Sequence, residues 1–469
     1  AGTGAAMTLH RFRIWRGGLE LLHDYVPEQD GSRIGLRDCC GSREFLPLDP
    51  QMVEKATVVV EDPISNVQSV VVHDPTGSLA GKRDGNTTVY QVRKGDDVSA
   101  YYTLEPGYVS KAPNPIVYTN ISEDVRIGED TINAQPKYVT VTVENAIPHV
   151  TSVVVESRQT GKIAGTVVDG KTVYAVERWH DISVSYEVEL NYVSLVENPI
   201  LYPDISEDVK IDAAFLKTVR RLTENIPYRT WDAQKSAMVD CVCSDAIPVT
   251  ADTVTLKDGQ WYAVTGTVST ANLKVSGAAH LILCDGAKMT ATGGGDDAGV
   301  AVEAGNSLAI YGQSAGTGEL VAKATEQGGH RGAGIGGASR RPGGTVTING
   351  GRVTATGGWD GAGIGGGCYA ASGAVTINGG RIRATGGGAG PGIGSGYQAT
   401  GAGGTLVING GTVMAKWAPN AAGPDGKYHG DDIGRGFEAS DESSVNVTIK
   451  GGSVSARTIE NAPSNGVER

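Results

Sequence analysis

The chain has 469 residues, of which 68 are Gly and only 4 Phe, a balance that excludes a helical enzyme built on a large aromatic core. Its formal net charge of −12 excludes a general nucleic-acid binder, because nothing would neutralise the phosphates. No apolar run approaches the roughly 18 residues of a membrane span, and the length suits about two to four domains.

The opening AGTGAAMTLH lacks the basic start and apolar stretch of a secretory leader. Either targeting segments have been removed, or the chain is a piece of something longer. Six cysteines fall at 39, 40, 241, 243, 284 and 368, and none has zinc-site spacing. The even number is compatible with disulfides; buried free thiols are an equal alternative, particularly for Cys284 in the apolar run LILC.

Residues 8–48 read as short strands and turns, with Phe12, Ile14, Leu19, Leu21 and Val26 as the apolar positions. About fifty residues cannot bury a sandwich core alone. Gly18, Leu21, Asp24, Tyr25, Val26 and Pro27, followed by Gly35, Leu36 and Asp38, resemble the last strands of laminin-G/concanavalin-like jelly rolls in bacterial surface proteins. That resemblance implies a C-terminal remnant over 1–50 of a larger protein.

Two segments then repeat each other. TVVVEDPISNVQSVVVHD from Thr57 returns as TVTVENAIPHVTSVVVES from Thr140, an offset of 140 − 57 = 83. ISEDVRI from Ile121 returns as ISEDVKI from Ile205, an offset of 205 − 121 = 84. Residues 56–136 and 138–215 are therefore expected to be tandem antiparallel β-sandwich or β-grasp-like units. They resemble the stalk repeats of bacterial surface proteins. Trp179 and His180, in a loop that reads RWHD against KGDD, are their chemically unusual positions.

From about 225 short strands alternate with Gly, Asn and Asp, and a formal repeat emerges. GAGIGG at Ile335, GAGIGGG at Ile364 and GPGIGSG at Ile393 lie 364 − 335 = 393 − 364 = 29 residues apart, and DDIGRG follows at Ile433. VTING recurs around Ile348 and Ile377, as VING at Ile408 and as VTIKG at Ile449, with a further strand around Val353, Ile382, Val413 and Val454. Three short strands per period predict a right-handed parallel β-helix over 225–469, with coils about 4.8 Å apart. Alternation puts Val346, Ile348, Val353, Ala355, Val375, Ile377, Ile382 and Ala384 inside. Asn349, Asn378 and Asn409 precede Gly-Gly, where Asn tolerates left-handed backbone and stacked amides can bond from coil to coil; Lys450 breaks that ladder. The open solenoid ends are expected to be capped by 225–260 and 455–469. The whole is all-β.

The run WYAV, LILCDG, LAIYGQ, GAGIGG, VTINGG resembles glycine-rich β-helix domains of gut-bacterial surface proteins, with pectate-lyase-like folds as analogues. The resemblance implies carbohydrate binding or, in some analogues, polysaccharide lyase or glycosidase activity. GAGIGGG also looks like a dinucleotide fingerprint, but no helix follows it, so phosphate binding is rejected.

Stacked coils line up equivalent positions. Four residues before the repeat Ile stand Arg331, Asp360, Ala389 and His429, and one earlier His330, Trp359, Gly388 and Tyr428. Just after it come Ser339-Arg340, Cys368-Tyr369, Tyr397 and Phe437, with Trp417 in an inserted loop. Aromatic faces stack on sugar rings while Asp, Arg and His bond hydroxyls, so Trp359, Asp360, Tyr369, Tyr397, Trp417, Tyr428, His330 and Arg331 are the candidate ligand-binding residues. The plain alternative makes them turn residues covering the solenoid. An enzymatic reading would draw an acid/base pair from Asp360, His429, Asp431 and Asp432. It would neutralise a uronate with Arg331, or with Ca²⁺ on Asp296–Asp297 or Asp431–Asp432. Arg352 and Arg381 share an outward position in adjacent coils, and with this net charge their neutralisation by acidic neighbours is expected over an anionic glycan.

The function expected is an extracellular or cell-surface protein whose β-helix binds carbohydrate or acts as an adhesin, with the repeats as spacers. The alternatives are a polysaccharide lyase or glycoside hydrolase, and a structural surface or filament component. Partners are a polysaccharide or a host or plant glycan, and other copies of the chain; no cofactor beyond a structural calcium is read.

Overall fold

The computed structural model describes residues 54–325, 331–418 and 430–460, and the backbone of four strands within 12–47. The chain divides into two compact units, 1–139 with 176–179 and 140–175 with 180–469. Among the described residues no helix is long and apolar enough to cross a membrane.

In the first unit, strands Phe12–Arg16, Glu20–Asp30, Arg33–Asp38 and Phe45–Pro47 pair antiparallel in chain order. The first repeat follows as two four-stranded sheets. Alternation in KATVVVE turns Ala56, Val58 and Val60 inward, where they meet Val72, Val98, Ala100, Ile127 and Ile132 in one core. Two sheets sharing a core make this a sandwich and not a β-grasp, in which a helix would cover a single sheet.

The second unit carries the same plan in the second repeat. Val141, Val155, Ile182, Val184, Ile211 and Leu216 occupy the corresponding core positions, each no more than 2% exposed. In both repeats an Asn side chain brackets one tyrosine backbone from both sides, Asn114 on Tyr102 and Asn198 on Tyr186.

Beyond it lies the parallel β-helix, with three sheets of eight, seven and seven strands. Sheet A runs from Ile247–Pro248 to Asn446–Ile449, sheet B from Thr255–Leu256 to Ile433–Arg435, and sheet C from Thr267–Ala271 to Ser453–Ser455. Like residues stack. Ile348 pairs with Ile377, Ile377 with Ile408 and Ile408 with Ile449. In sheet B the pairs run Ile335, Ile364, Ile393, Ile433. All eight residues expected inside are at most 1% exposed. Each buried Val or Ile contributes about 1.5–3 kcal/mol relative to exposure, so a continuous inner column holds the solenoid together.

From Trp261–Val264 onward the chain order is A, C, B; the first turn has only an A and a B strand. In the coils from Thr345 to Lys416 the A-to-C corner is Asn-Gly-Gly and the loops on either side of sheet B are longer, and sheet B strands shorten to Ile-Gly at Ile335–Gly336 and Ile364–Gly365. A Cβ on Gly365 would fall 2.1 Å from the Gly394 carbonyl oxygen, so close coil stacking requires glycine there. At the Asn-Gly-Gly corner, Asn378 Nδ2 donates to Asn349 Oδ1 (2.8 Å) and Asn409 Nδ2 to Asn378 Oδ1 (2.7 Å). The ladder is as expected, but the left-handed residue is the second glycine (Gly351 φ 80°, Gly380 φ 93°, Gly411 φ 89°) and not Asn. The asparagines can therefore stay in ordinary backbone while their amides turn inward.

Capping differs from expectation. Residues Ile226–Asp232 and Ala237–Cys243 form an antiparallel hairpin before the first parallel strand. It covers the outer face of sheet A, where Ile226 and Cys243 bury against Ala263, Ile282 and Tyr311. The first coil is instead covered by the end of the second repeat: Val193, Leu195 and Val219 pack on the β-helix core. Lys217 and Lys257 pin that contact through Asp252 (2.5 Å) and Glu197 (3.5 Å). At the other end Ala456 and Ile459 close on the core, while 461–469 lie outside the described residues.

Candidate functional site

The sequence-singled positions flank sheet B. Trp359 and Asp360 lie in the loop entering it, and Tyr369 and Tyr397 in the loops leaving it. Trp359 is 56% exposed and packs on no described ring or cation. Asp360 is buried instead, 7% exposed. Burial pushes its carboxyl above the usual range, opposed by the positive charge of Arg331. Cys368 lies beside it, Sγ 3.9 Å from Asp360 Oδ2, its thiol pushed up to about 12 by burial and by that carboxylate.

Tyr369, Tyr397 and Phe437 are half-buried and follow one another from coil to coil. Ring centroids are 5.9 Å apart for Tyr369–Tyr397 and 6.4 Å for Tyr397–Phe437, the latter pair nearly parallel at 2°. Two guanidiniums approach the Tyr369 ring, Arg331 at 5.6 Å and Arg340 at 5.5 Å, and Arg331 Nη1 donates to the Tyr369 hydroxyl at 3.2 Å. Further along, Gln398 Nε2 (2.7 Å) and Tyr397 Oη (3.3 Å) both donate to Glu438 Oε2. From Arg340 to Glu438 this ladder crosses four coils, three steps of about 4.8 Å. Aromatic rings and fixed polar groups thus follow one another along one edge of the solenoid.

Its backbone carries a feature that motif reading missed. The fifth residue after each repeat Ile is left-handed: Arg340 φ 62°, Tyr369 φ 63°, Gln398 φ 45°, Glu438 φ 55°. Such backbone costs a non-glycine residue about 1–2 kcal/mol. In a repeat otherwise dense in glycine, this column holds large side chains in all four coils. The signal was available in GGASR, GGGCY, GSGYQ and GRGFE, where the last letter is never Gly. Gln398 and Glu438 carry no aromatic ring, so a search for sugar-stacking side chains does not reach them.

The remaining candidates separate from this ladder. Asp432 is 1% exposed and accepts from the Trp417 amide (2.9 Å), the Arg457 amide (2.5 Å) and the Arg457 guanidinium (2.9 and 3.1 Å). Burial raises its pKa, but these donors outweigh it and hold the carboxyl below the usual range. The Arg457 guanidinium also stands 4.8 Å over the Trp417 ring, so Trp417, Asp432 and Arg457 tie the last coil to its tail. Asp431 is pushed up by burial and by its neighbours Glu460 and Asp432, against Arg435. Asp296 is exposed, and Asp297 faces Lys274 at 3.9 Å. Among the described residues no three His, Cys, Asp or Glu are grouped as for a metal. His330, Tyr428 and His429 lie outside the described residues. Cys241, Cys243, Cys284 and Cys368 are free thiols; Cys39 and Cys40 lie outside the described residues.

The family model described as Beta helix repeat matches residues 346–368 and 375–397. No curated protein matches the sequence. Solved structures with some likeness include the Bacillus anthracis TIE protein, at 10% identity and TM-score 0.18, covering 43% of this chain and 46% of that one. The alignment thus spans about half of that protein. The family 26 carbohydrate-binding module from Eubacterium rectale Amy13K, solved with maltoheptaose, is 10% identical at TM-score 0.12, covering 34% of this chain and 90% of that one. The Streptococcal ancillary pilin is 10% identical at TM-score 0.14, covering 40% of this chain and 74% of that one. Likeness this distant carries no inference about function.

Proposed function

We propose that this is an extracellular or cell-surface protein whose β-helix binds a polysaccharide, a host or plant glycan, along the ladder beside sheet B. The division into a jelly-roll remnant (1–50), spacer repeats (56–136 and 138–215) and a glycan-binding solenoid (225–469) belongs to the proposal, as does kinship with gut-bacterial surface β-helices. One observation carries it: Arg340, Tyr369, Gln398 and Glu438 hold strained left-handed backbone in successive coils where glycine would be unstrained. Strain kept in register across four coils is accounted for by what the side chains present, and Trp359 offers an open ring near it. The reading requires no cofactor.

The lyase or hydrolase alternative is less favoured because Asp432, one of its four candidates, is committed to Arg457 and the Trp417 amide. A glycan array probed with the intact protein tests the proposal. Retention of a glycan by the wild type, lost in Trp359→Ala with Tyr369→Ala, supports it. Release of reducing ends or unsaturated uronates would move the assignment to an enzyme. Concentration-dependent assembly with no glycan effect would move it to a structural component.

A further inference from the structure

A second site stands at the opposite corner of the solenoid, where sheet A turns into sheet C. There the hairpin 226–243 overhangs the Asn-Gly-Gly ladder and leaves a cleft of about 390 Å³. Arg229 and Met238 face it from the hairpin, Gln313, Arg352 and Arg381 from the coils, and Gly350–Gly351 and Gly379–Gly380 form its floor.

Three arginines thus meet in one cleft of a chain whose net charge is −12. Arg352 and Arg381 are paired across adjacent strands, about 4.8 Å apart at the backbone. Neutralisation by acidic neighbours, the expectation from sequence, does not occur. Glu319, the strand neighbour of Arg352, is ion-paired with Lys288 at 3.2 Å, and the residue beyond Arg381 is Thr412. Among the described residues neither guanidinium has an ion pair or hydrogen bond; Arg229 is held by Asp240 at 3.2 Å. Like charges on neighbouring strands repel, and an anion between them relieves that repulsion.

The cleft is also built to keep its shape. Gln313 Nε2 donates to the Pro227 carbonyl at 2.8 Å, tying the hairpin to the coil next to Arg229. Tyr228 sits 4.9 Å from both Trp261 and Tyr311, and Trp261 stacks on His280 at 4.3 Å. The floor is bare backbone: a Cβ on Gly380 would lie 2.6 Å from the Gly351 carbonyl oxygen. The glycine floor itself presents no side chain to a planar or tetrahedral oxyanion approaching the guanidiniums.

We propose that this cleft binds sulfate or carboxylate groups carried by an acidic polysaccharide, Arg352 and Arg381 gripping the oxyanion while Arg229, held by Asp240, lines the hairpin side. It lies away from the aromatic ladder and does not rest on it.

The test is titration calorimetry of the whole chain against heparin, polygalacturonate, desulfated heparin, dextran, single-stranded DNA and inorganic sulfate. Expected is binding of heparin or polygalacturonate that falls at least tenfold in Arg352→Gln with Arg381→Gln. The charge-matched pair Lys162→Gln with Lys171→Gln, exposed in the second repeat, should stay within twofold, with the thermal midpoint of both variants near wild type. Heparin above desulfated heparin identifies sulfate as the group gripped; polygalacturonate above heparin identifies carboxylate. Three results overturn the proposal: no binding of any acidic polymer, equal loss in both charge-removing pairs, or equal affinity for DNA. Tyr369→Ala leaves this binding intact, so failure of the ladder and failure of the cleft are told apart.

Discussion

Tyr369 is held at φ 63° with its hydroxyl bonded to Arg331 and two guanidiniums beside its ring. Asn accepts left-handed backbone far more readily than an aromatic residue does. Tyr369→Asn is therefore expected to change stability by no more than about 1 kcal/mol, because relieved strain offsets lost ring contacts. A much larger fall, measured by denaturant unfolding, would make the ring a structural lid. Acidic groups here report on pH in opposite directions. Asp360 has a raised pKa from burial, so the folded state holds more protons than the unfolded state above about pH 3.9. Its contribution to stability falls as pH rises through the window from that value to its folded pKa, and Asp360→Asn should flatten the slope there. Asp432 is depressed by its donors, so its contribution is present above about pH 3.9 and is lost as pH falls through its lower folded value. Asp432→Ala is expected to cost roughly 2–3 kcal/mol at neutral pH, since it strips a buried acceptor from the Trp417 and Arg457 amides. The ladder's aromatic members could be read by counting from the repeat Ile. The burial of Asp360 and Asp432 could not, because the same Asp in a Gly-rich loop faces out or in according to loop geometry.

Between coils the Asn ladder and the inner Ile column do the holding. Asn378 both donates and accepts, so Asn378→Ala leaves Asn349 Oδ1 and Asn409 Nδ2 unpaired at once. The expected cost is about 2 kcal/mol. Ile364, fully buried in sheet B, should cost roughly 2–5 kcal/mol on truncation to Ala, read as a shift of the denaturation midpoint at constant m-value. These elements were legible because period-2 alternation inside a 29-residue repeat admits one inward set. The hairpin 226–243 was not: Trp261, His280 and Tyr311 face outward from sheet A, and nothing in their spacing tells that a preceding segment covers them.

Across the β-helix-bearing unit, a solenoid end must be covered, and the second repeat covers the first coil with Val193, Leu195 and Val219. Cutting the chain to 225–469 uncovers that coil, so it should unfold at lower temperature and self-associate more than 138–469. Equal behaviour of the two in calorimetry and light scattering would show the contact to be dispensable. That the end of this repeat packs on the first coil was invisible in sequence, since the residues that do so are ordinary apolar ones. The proposed role of the molecule rests on glycan binding by the ladder beside sheet B. The most direct measurement is the affinity of the intact protein for the strongest glycan on an array of neutral host and plant polysaccharides, compared with Trp359→Ala/Tyr369→Ala. At about 1–3 kcal/mol for two lost stacking contacts, binding should weaken by roughly fivefold or more with the fold intact. Unchanged affinity in that double variant would show that the ladder is not where glycan binds.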